Sequence, residues 1–254
     1  MSVIMNFKAE RIGKVFFGSS PSDIKGTVIM TLGIPWFFRR LNRQKCIVKR
    51  NAGWWNLSVM RCGGSEVTLL SVGSGSAEVT DVIRLLTKFR CRNIVGVGLA
   101  GALRREIQIG DILVPTSCLG PPFASDARNS VGYSQELYSA YKSEMEDFCV
   151  KNTISLHYGT LCTVDSVTCE DSEFFSYAKS QSLSAVDMET FHLHKEATSA
   201  GLRVSSFHVV SDNPIAHKSF LDDIPEDDIK RKRKVYGKLP TLLKSVASVI
   251  EREL

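Results

Sequence analysis

The sequence predicts a single α/β domain, and three observations lead to this prediction. Strand-like and helix-like hydrophobic patterns alternate along the whole chain, which is typical of layered α/β domains. Glycine-containing turns follow several of the strand-like segments. The 254 residues, 43% of them hydrophobic, are enough for one substantial core, and no repeat or Pro/Gly-rich linker divides them. We therefore expect one domain over residues 1–254.

The first part of the chain shows the clearest strand, turn and helix pattern. The apolar stretch 28–38, interrupted by glycine and proline, predicts a core strand and a turn, and it is too short to span a bilayer. Residues 67–72 predict a second strand, and Gly73 and Gly75 predict the turn after it. Apolar residues at helical spacing over 79–89 then predict a helix.

Two further strands are predicted before the middle of the chain. A buried strand over 93–97 runs into Gly98 and Gly101. Residues 111–114 predict a short strand that stops at Pro115, because proline cannot donate to a strand ladder.

The second half of the chain continues the same alternation. Residues 159–165 and 204–210 predict two strands that flank a helix over 189–200. A long helix is expected from residue 228 onward, kinked or broken by Pro240. In open α/β sheets, ligands bind beyond the carboxyl ends of the strands, so polar residues just after these strands are the site candidates.

Two carboxyl groups are candidates for the chemistry of such a site. Asp212 ends an apolar strand, and partial desolvation would raise its pKa into the range of a general acid. An Asx-turn ahead of Pro214 explains the same residue equally well. Glu189 opens a helix after Met188, where it would hydrogen-bond ribose hydroxyls or act as a first-turn carboxylate. Spacing alone favours the helix-terminal role for Glu189.

Cysteine and histidine usage argues against a metal centre or a disulfide framework. The seven cysteines are an odd number with no C-x-x-C pair, and the histidines have no H-E-x-x-H spacing. We expect no metal and reduced, mostly buried thiols, as in a cytoplasmic protein.

The charge pattern argues against nucleic-acid and membrane partners. The net charge of +5 comes largely from the basic run 230–234, which would be a nucleic-acid patch or a solvated helix face. We favour the helix face, because the run follows several acidic residues and acid before base complements the helix dipole. Charged residues within the first eleven positions also make a secretory signal unexpected.

Three motifs in series resemble the nucleoside phosphorylase superfamily, which includes purine nucleoside and uridine phosphorylases and related nucleosidases. These motifs are VGVGLAGALRREIQIGDILVP at 95–115, AVDMET at 185–190 and VVSDNP at 209–214, and the resemblance extends over 67–214. It implies a three-layer αβα sandwich with a central mixed, twisted sheet. It also implies cleavage of an N-glycosidic bond through an oxocarbenium-like transition state, with no cofactor except inorganic phosphate as co-substrate.

The resemblance also implies roles for individual residues. Asp212 matches the acid that protonates or hydrogen-bonds the departing base, and Met188 and Glu189 match the residues that hold the ribose. The remaining assignments are Thr163 and Val167 in the base pocket, and Gly18, Gly73, Gly98 and Arg50 at the phosphate or nucleophile end. Arg50 resembles the arginine that some members lend to the site of a neighbouring subunit.

Departures from the family pattern leave the acceptor open. The family motif R-V-G-S/T is replaced by GVGL at 96–99, and G-D-P-x-R is replaced by GSSPSD at 18–23, so two anion-binding arginines are missing. Phosphorolysis is the first interpretation. The alternative is a nucleosidase that uses water, on a nucleoside or on a monophosphate such as AMP, which the SDNP and LRREIQIGD segments resemble.

A non-catalytic nucleoside or nucleotide binder is a further alternative, and the presence of both Asp212 and Glu189 argues against it.

A purine is preferred as the base because an acid at Asp212 suits N7. The resemblance implies a homo-oligomer, between a dimer and a hexamer. Five aromatic residues are candidates either for its interface or for the core: Trp36, Phe37, Phe38, Trp54 and Trp55.

Overall fold

The alternating pattern of the sequence corresponds to alternating strands and helices in a computed structural model, which describes residues 7–41, 43, 45–122 and 130–254. Within these residues the α-helices are α1 (Ala9–Ile12), α2 (Pro35–Leu41), α3 (Ser76–Leu86), α4 (Gln135–Asn152), α5 (Ser172–Ser180), α6 (Thr190–Ser199) and α7 (Glu226–Glu253). The strands are β1 (Thr27–Leu32), β2 (Ile47–Ala52), β3 (Asn56–Cys62), β4 (Ser65–Val72), β5 (Asn93–Ala102), β6 (Ile112–Leu119), β7 (Ser130–Val131), β8 (Leu156–Thr163), β9 (Ala185–Asp187) and β10 (Arg203–Asp212).

One mixed sheet organises the molecule. Strand β1 pairs in parallel with β4 and β5, and β5 pairs in parallel with β10. Strands β4, β3 and β2 continue the sheet as an antiparallel meander. On the other side, β10 pairs with β6, β6 with β8, β8 with β9, and β9 returns to β5. Five strands therefore close on themselves, and the expected mixed, twisted sheet is confirmed.

Helices cover both faces of this sheet. Ile29 of β1 packs in the same core as Phe37 of α2, and residues of α4 and α7 complete this core. The neighbouring Val28 and Met30 point to the opposite face, where they share a core with residues of α3 and α6. Because adjacent strand residues alternate between faces, the two cores are separate. The predicted three-layer αβα sandwich is confirmed.

Two predicted strands extend further than the sequence indicated. Strand β5 does not end near residue 97 but continues through Gly98 to Ala102, paired in parallel with β10. Strand β6 does not stop at Pro115 but continues to Leu119. The pairing of β6 with β8 shifts register between Pro115 and Ser117, and such an irregularity accommodates the missing proline N–H.

The helical segments differ from expectation in two places. The stretch 28–38 is a strand, a turn at Gly33 and then the start of α2, where Pro35 occupies the first helical position. Helix α7 runs through Pro240 as one element. Its apolar face contributes Leu239, Leu242 and other residues to the core, so tertiary packing outweighs the missing hydrogen bond at the proline.

The aromatic residues that were interface candidates divide between core and surface. Phe37, Phe38 and Trp55 are buried, whereas Trp36 is partly exposed and Trp54 is 75% exposed. The ring of Trp54 packs edge-on against Phe16 at a centroid distance of 5.1 Å. The core interpretation therefore applies to three of the five side chains.

The basic run at the start of α7 is attached to the rest of the domain. Arg231 hydrogen-bonds the carboxylate of Asp111, which is buried, and Lys230 pairs with Glu226 at 3.1 Å.

All seven cysteines carry free thiols, and five of them are buried. Among the described residues, no cluster of three or more metal-ligating side chains occurs. None of the helices in the described ranges has the length and apolar character that a bilayer crossing requires.

Candidate functional site

A cavity lies at the carboxyl ends of β1, β5, β9 and β10, where the sheet topology predicted a site. Two groups of side chains line it. One group surrounds Glu189 and contains Gly33, Ser74 and Met188. The other surrounds Asp212 and contains Val167, Glu170 and Phe220. We refer to these groups as the Glu189 end and the Asp212 end.

Backbone amides hold the carboxylate at the Glu189 end. Glu189 precedes α6 at the N-cap position, but its side chain makes no capping hydrogen bond. Instead, Oε1 accepts a hydrogen bond from the Gly75 N–H at 2.8 Å, and Oε2 accepts one from the Met188 N–H at 3.3 Å. Gly33 has a φ of +63°, and a Cβ there would lie 2.8 Å from Ser74 Oγ. The glycine turns therefore allow the close approach of backbone to Glu189.

A second carboxyl group lies behind Glu189. Asp187, also part of the cavity lining, accepts a hydrogen bond from Thr163 Oγ1 at 2.6 Å and another from the Thr190 N–H at 3.0 Å. Burial raises the pKa of Asp187. Burial, and then the charge on Asp187, raise the pKa of Glu189 as well. The two acids therefore oppose each other's ionisation, and a cationic ligand would favour the charged form of Glu189.

The Asp212 end is held by neighbours in the chain and by α7. Ser211 Oγ donates a hydrogen bond to Asp212 Oδ1 at 2.6 Å, and the backbone of Phe220 also hydrogen-bonds this carboxyl group. Burial raises the pKa of Asp212, while these hydrogen bonds and Lys232 partly offset the rise. Lys232 Nζ itself donates to the Ser211 carbonyl oxygen at 2.9 Å.

The alternative role predicted for Asp212 was to form a turn before Pro214. Its neighbour Asn213 forms that turn instead. Asn213 Oδ1 accepts a hydrogen bond from the Ala216 N–H at 3.0 Å. Asn213 Nδ2 donates to the carbonyl oxygens of Arg104 and Ile107 at 2.9 and 2.8 Å. The Asp212 carboxyl group is therefore not needed for the turn and faces the cavity.

Glu170 is a cavity residue that the sequence reasoning missed. It follows the short 3₁₀ turn Val167–Cys169, which comes after β8. Burial, and then the charge on Asp212, raise the pKa of Glu170 to about 7. Its position three residues after Val167, in the segment expected to line the base pocket, was the available signal.

We expect Lys232→Met to raise the pKa of Asp212, because the substitution removes the cation that favours the ionised carboxylate. The measurement is a carbon-13 NMR titration of the aspartate carboxyl groups. Lys232→Arg should restore the pKa of Asp212, and Lys234→Met, at an exposed position on the same helix, is the matched control. An unchanged Asp212 pKa in Lys232→Met would show that Lys232 only anchors α7.

Other residues predicted for the site lie around the cavity or away from it. Met188 and Val167 line it. Thr163 is fully buried and is not part of the lining, but its hydroxyl donates a hydrogen bond to the lining residue Asp187. Gly73 does not line it, but the adjacent Ser74 does. A Cβ at Gly73 would lie 2.2 Å from the carboxylate of Glu78, so an acid borders this turn.

The remaining three residues assigned to the phosphate or nucleophile end have other surroundings in the described chain. Gly98 is inside β5, where a Cβ would lie 2.8 Å from His208 Nδ1. Gly18 has a φ of +59° and packs against the Ala52 carbonyl group. Arg50 belongs to β2, the strand at the edge of the sheet. None of the three is part of the cavity lining.

The lining of the cavity is strongly acidic. It includes four carboxyl side chains, those of Asp187, Glu189, Asp212 and Glu170. No lysine or arginine from the described part of the chain lines it. Such a lining suits a ligand that has hydrogen-bond donors or becomes cationic, and it disfavours a bound anion.

Comparison with known proteins shows which family has this architecture. A sequence profile of the phosphorylase superfamily matches residues 27–246. The guanosine phosphorylase of Halorubrum lacusprofundi is 23% identical over 175 residues, which are 66% of this chain and 73% of that protein. The uridine phosphorylase of Vibrio fischeri has a TM-score of 0.74 at 18% identity, covering 97% of this chain and 99% of that one. The AMP nucleosidase of Bacteroides thetaiotaomicron has a TM-score of 0.68 at 19% identity, with coverage of 91% and 96%.

Proposed function

The chain belongs to the phosphorylase superfamily, and from this membership we propose that it cleaves the N-glycosidic bond of a nucleoside at the cavity between Glu189 and Asp212. The relatives reported above are phosphorylases and a nucleosidase, which are enzymes. Both reactions pass from a neutral nucleoside to a ribose with oxocarbenium character and a departing base. They differ in the acceptor, which is phosphate or water.

The Glu189 end suits the sugar. The Glu189 carboxylate retains acceptor capacity beyond its two backbone hydrogen bonds, so it can accept hydrogen bonds from two ribose hydroxyl groups. Its negative charge would also strengthen binding as positive charge develops on the ribose, which lowers the barrier. The thioether of Met188 would pack against the ring.

The Asp212 end suits the base. A carboxyl group at this end, which contains Asp212 and Glu170, would protonate or hydrogen-bond the departing base and so prevent negative charge from accumulating on it. Val167 and Phe220 supply apolar surface on the same side of the cavity. We prefer a purine, because its N7 accepts such a hydrogen bond and a relative is named guanosine phosphorylase.

Water is the acceptor that the geometry favours, and the acidic lining of the cavity carries this conclusion. A phosphate dianion requires charge-assisted donors, and no described lysine or arginine lines the cavity. The carboxylate of Glu78 beside Gly73 adds negative charge near the glycine turn. We therefore propose a nucleosidase reaction that releases free ribose, and we expect nucleosides to be better substrates than monophosphates.

Phosphorolysis is the second candidate, and the position of Arg50 supports it. Arg50 is exposed on the edge strand β2, close in sequence to the exposed Trp54, and this edge offers a surface for a second copy of the chain. Phosphorolysis would require Arg50 to reach the cavity of that second copy. The phosphate site would then be completed only in a homo-oligomer.

The seven free thiols support a cytoplasmic location, because disulfide bonds are rare in that compartment.

The test is chromatographic detection of free base from a panel of nucleosides and monophosphates, with and without inorganic phosphate. Release of base and free ribose without phosphate is the expected result. Release only with phosphate, together with ribose 1-phosphate, would overturn hydrolysis and establish phosphorolysis. Loss of that phosphate-dependent activity in Arg50→Ala would then show that Arg50 contributes to the phosphate site of a neighbouring subunit. Saturable binding with no release from any substrate would contradict both reactions.

A further inference from the structure

Two carboxyl groups, those of Asp212 and Glu170, line the Asp212 end of the cavity, and their surroundings differ. Asp212 has the Ser211 hydroxyl at 2.6 Å, the backbone hydrogen bond of Phe220 and the nearby charge of Lys232. The Glu170 side chain makes no hydrogen bond within the described residues, although it is largely shielded from water. The negative charge of Asp212 is therefore partly stabilised by hydrogen bonds and a nearby cation that Glu170 lacks.

Neighbouring carboxyl groups in a partly dry cavity do not ionise independently. Each negative charge disfavours the other, so over a range of pH the pair holds one proton. That proton stays on the group whose anion is less stabilised, which is Glu170. Asp187 and Glu189, the other charged groups that line the cavity, are also acids and supply no cation to Glu170. Lys232 contacts Ser211, on the side of Asp212.

We propose that Glu170 is a second catalytic residue, the carboxylic acid that donates the proton taken up by the departing base, with ionised Asp212 as its partner. This inference rests on the proposed function. Asp212 then accepts a hydrogen bond from the base and keeps Glu170 protonated through its charge. The value of about 7 for the Glu170 pKa agrees with an acid that holds its proton near neutral pH.

The step balances without any further reactant. The bond between C1′ and the base nitrogen breaks, and its electron pair goes to the base. The Glu170 proton moves to a ring nitrogen, N7 in a purine, so that the base departs neutral. The oxygen of water bonds to C1′ and its proton goes to solvent, from which Glu170 regains a proton. The sum is nucleoside and water giving ribose and base.

The test compares guanosine with 7-methylguanosine in wild type and in Glu170→Gln. The methylated base is already cationic and departs neutral without a proton. We expect Glu170→Gln to lower kcat/KM for guanosine by about 10²-fold or more, the usual range for a general acid, and by much less for 7-methylguanosine. Glu173→Gln, at an exposed position three residues away, is the matched control and should change neither value.

Equal losses for the two substrates would overturn the proposal, because a residue that only binds the base would show them. If wild type releases base from none of the nucleosides in the panel, the proposed function itself fails. A second measurement needs no turnover: NMR titration should show that Asp212→Asn lowers the pKa of Glu170, because the opposing charge is gone. An unchanged Glu170 pKa would show that the two groups do not form a pair.

Discussion

Asp212→Asn is expected to reduce kcat by roughly 10²- to 10⁴-fold while the protein stays folded. The amide keeps the size of the side chain but removes its charge. The departing base loses its carboxylate contact, and Glu170 loses the neighbouring charge that keeps it protonated. The measurement is steady-state release of base, with the unfolding midpoint recorded in parallel.

Asp223→Asn is the matched control, because Asp223 is exposed and does not line the cavity. It should leave both kcat and the unfolding midpoint unchanged. The Asp212→Asn protein should melt no lower than wild type, since the substitution removes a carboxylate that burial disfavours. An unchanged kcat in Asp212→Asn would remove this residue from the mechanism.

Glu189→Gln is expected to lower kcat by about 10²-fold for ribonucleosides. A neutral amide accepts weaker hydrogen bonds from the ribose hydroxyls than a carboxylate does, and each hydrogen bond to a charged group contributes about 1.5–3 kcal/mol. The amide also lacks the negative charge that stabilises a cationic sugar. The measurement is kcat and KM for a ribonucleoside and for the matching 2′-deoxyribonucleoside.

The loss should be larger for the ribonucleoside, because the deoxy substrate lacks one of the hydroxyl groups that Glu189 would bind. KM for either substrate should change less than kcat, since the charge acts mainly in the transition state. Glu106→Gln, at an exposed position, is the control. Equal losses in kcat for the two substrates would contradict the assignment of Glu189 to the ribose.

The layer architecture was predictable because it depends on hydrophobic periodicity. Val28, Ile29 and Met30 are all apolar because they alternate between two buried cores, and a short continuous apolar run is typical of a strand that is covered on both faces. The ends of elements were less predictable. Proline cannot donate to a strand ladder, so the sequence predicts that the strand ends at Pro115, but the register shift beside it allows β6 to continue. Pairing of β5 with β10 likewise keeps Gly98 within a strand.

The cavity residues that belong to sequence motifs were predictable, whereas those that lie between the motifs were not. Glu189 and Asp212 were identified because they belong to the motifs AVDMET and VVSDNP, and both line the cavity. Glu170 belongs to no motif, and its one sequence signal is its position three residues after Val167, so the cavity lining that it shares with Asp212 was needed to identify it. The hydrogen bond from Thr163 to Asp187 likewise joins residues 24 positions apart.

The acidic cavity also couples folding to proton uptake. Burial raises the pKa values of Asp187, Glu189, Asp212 and Glu170 above those of the unfolded chain. Between the unfolded and folded pKa values the native state therefore binds more protons, so the free energy of unfolding falls as pH rises, up to about 7 for Glu170. The contribution of these groups to the free energy of unfolding is therefore smallest on the alkaline side of neutrality. A ligand that donates hydrogen bonds to them would restore part of that stability.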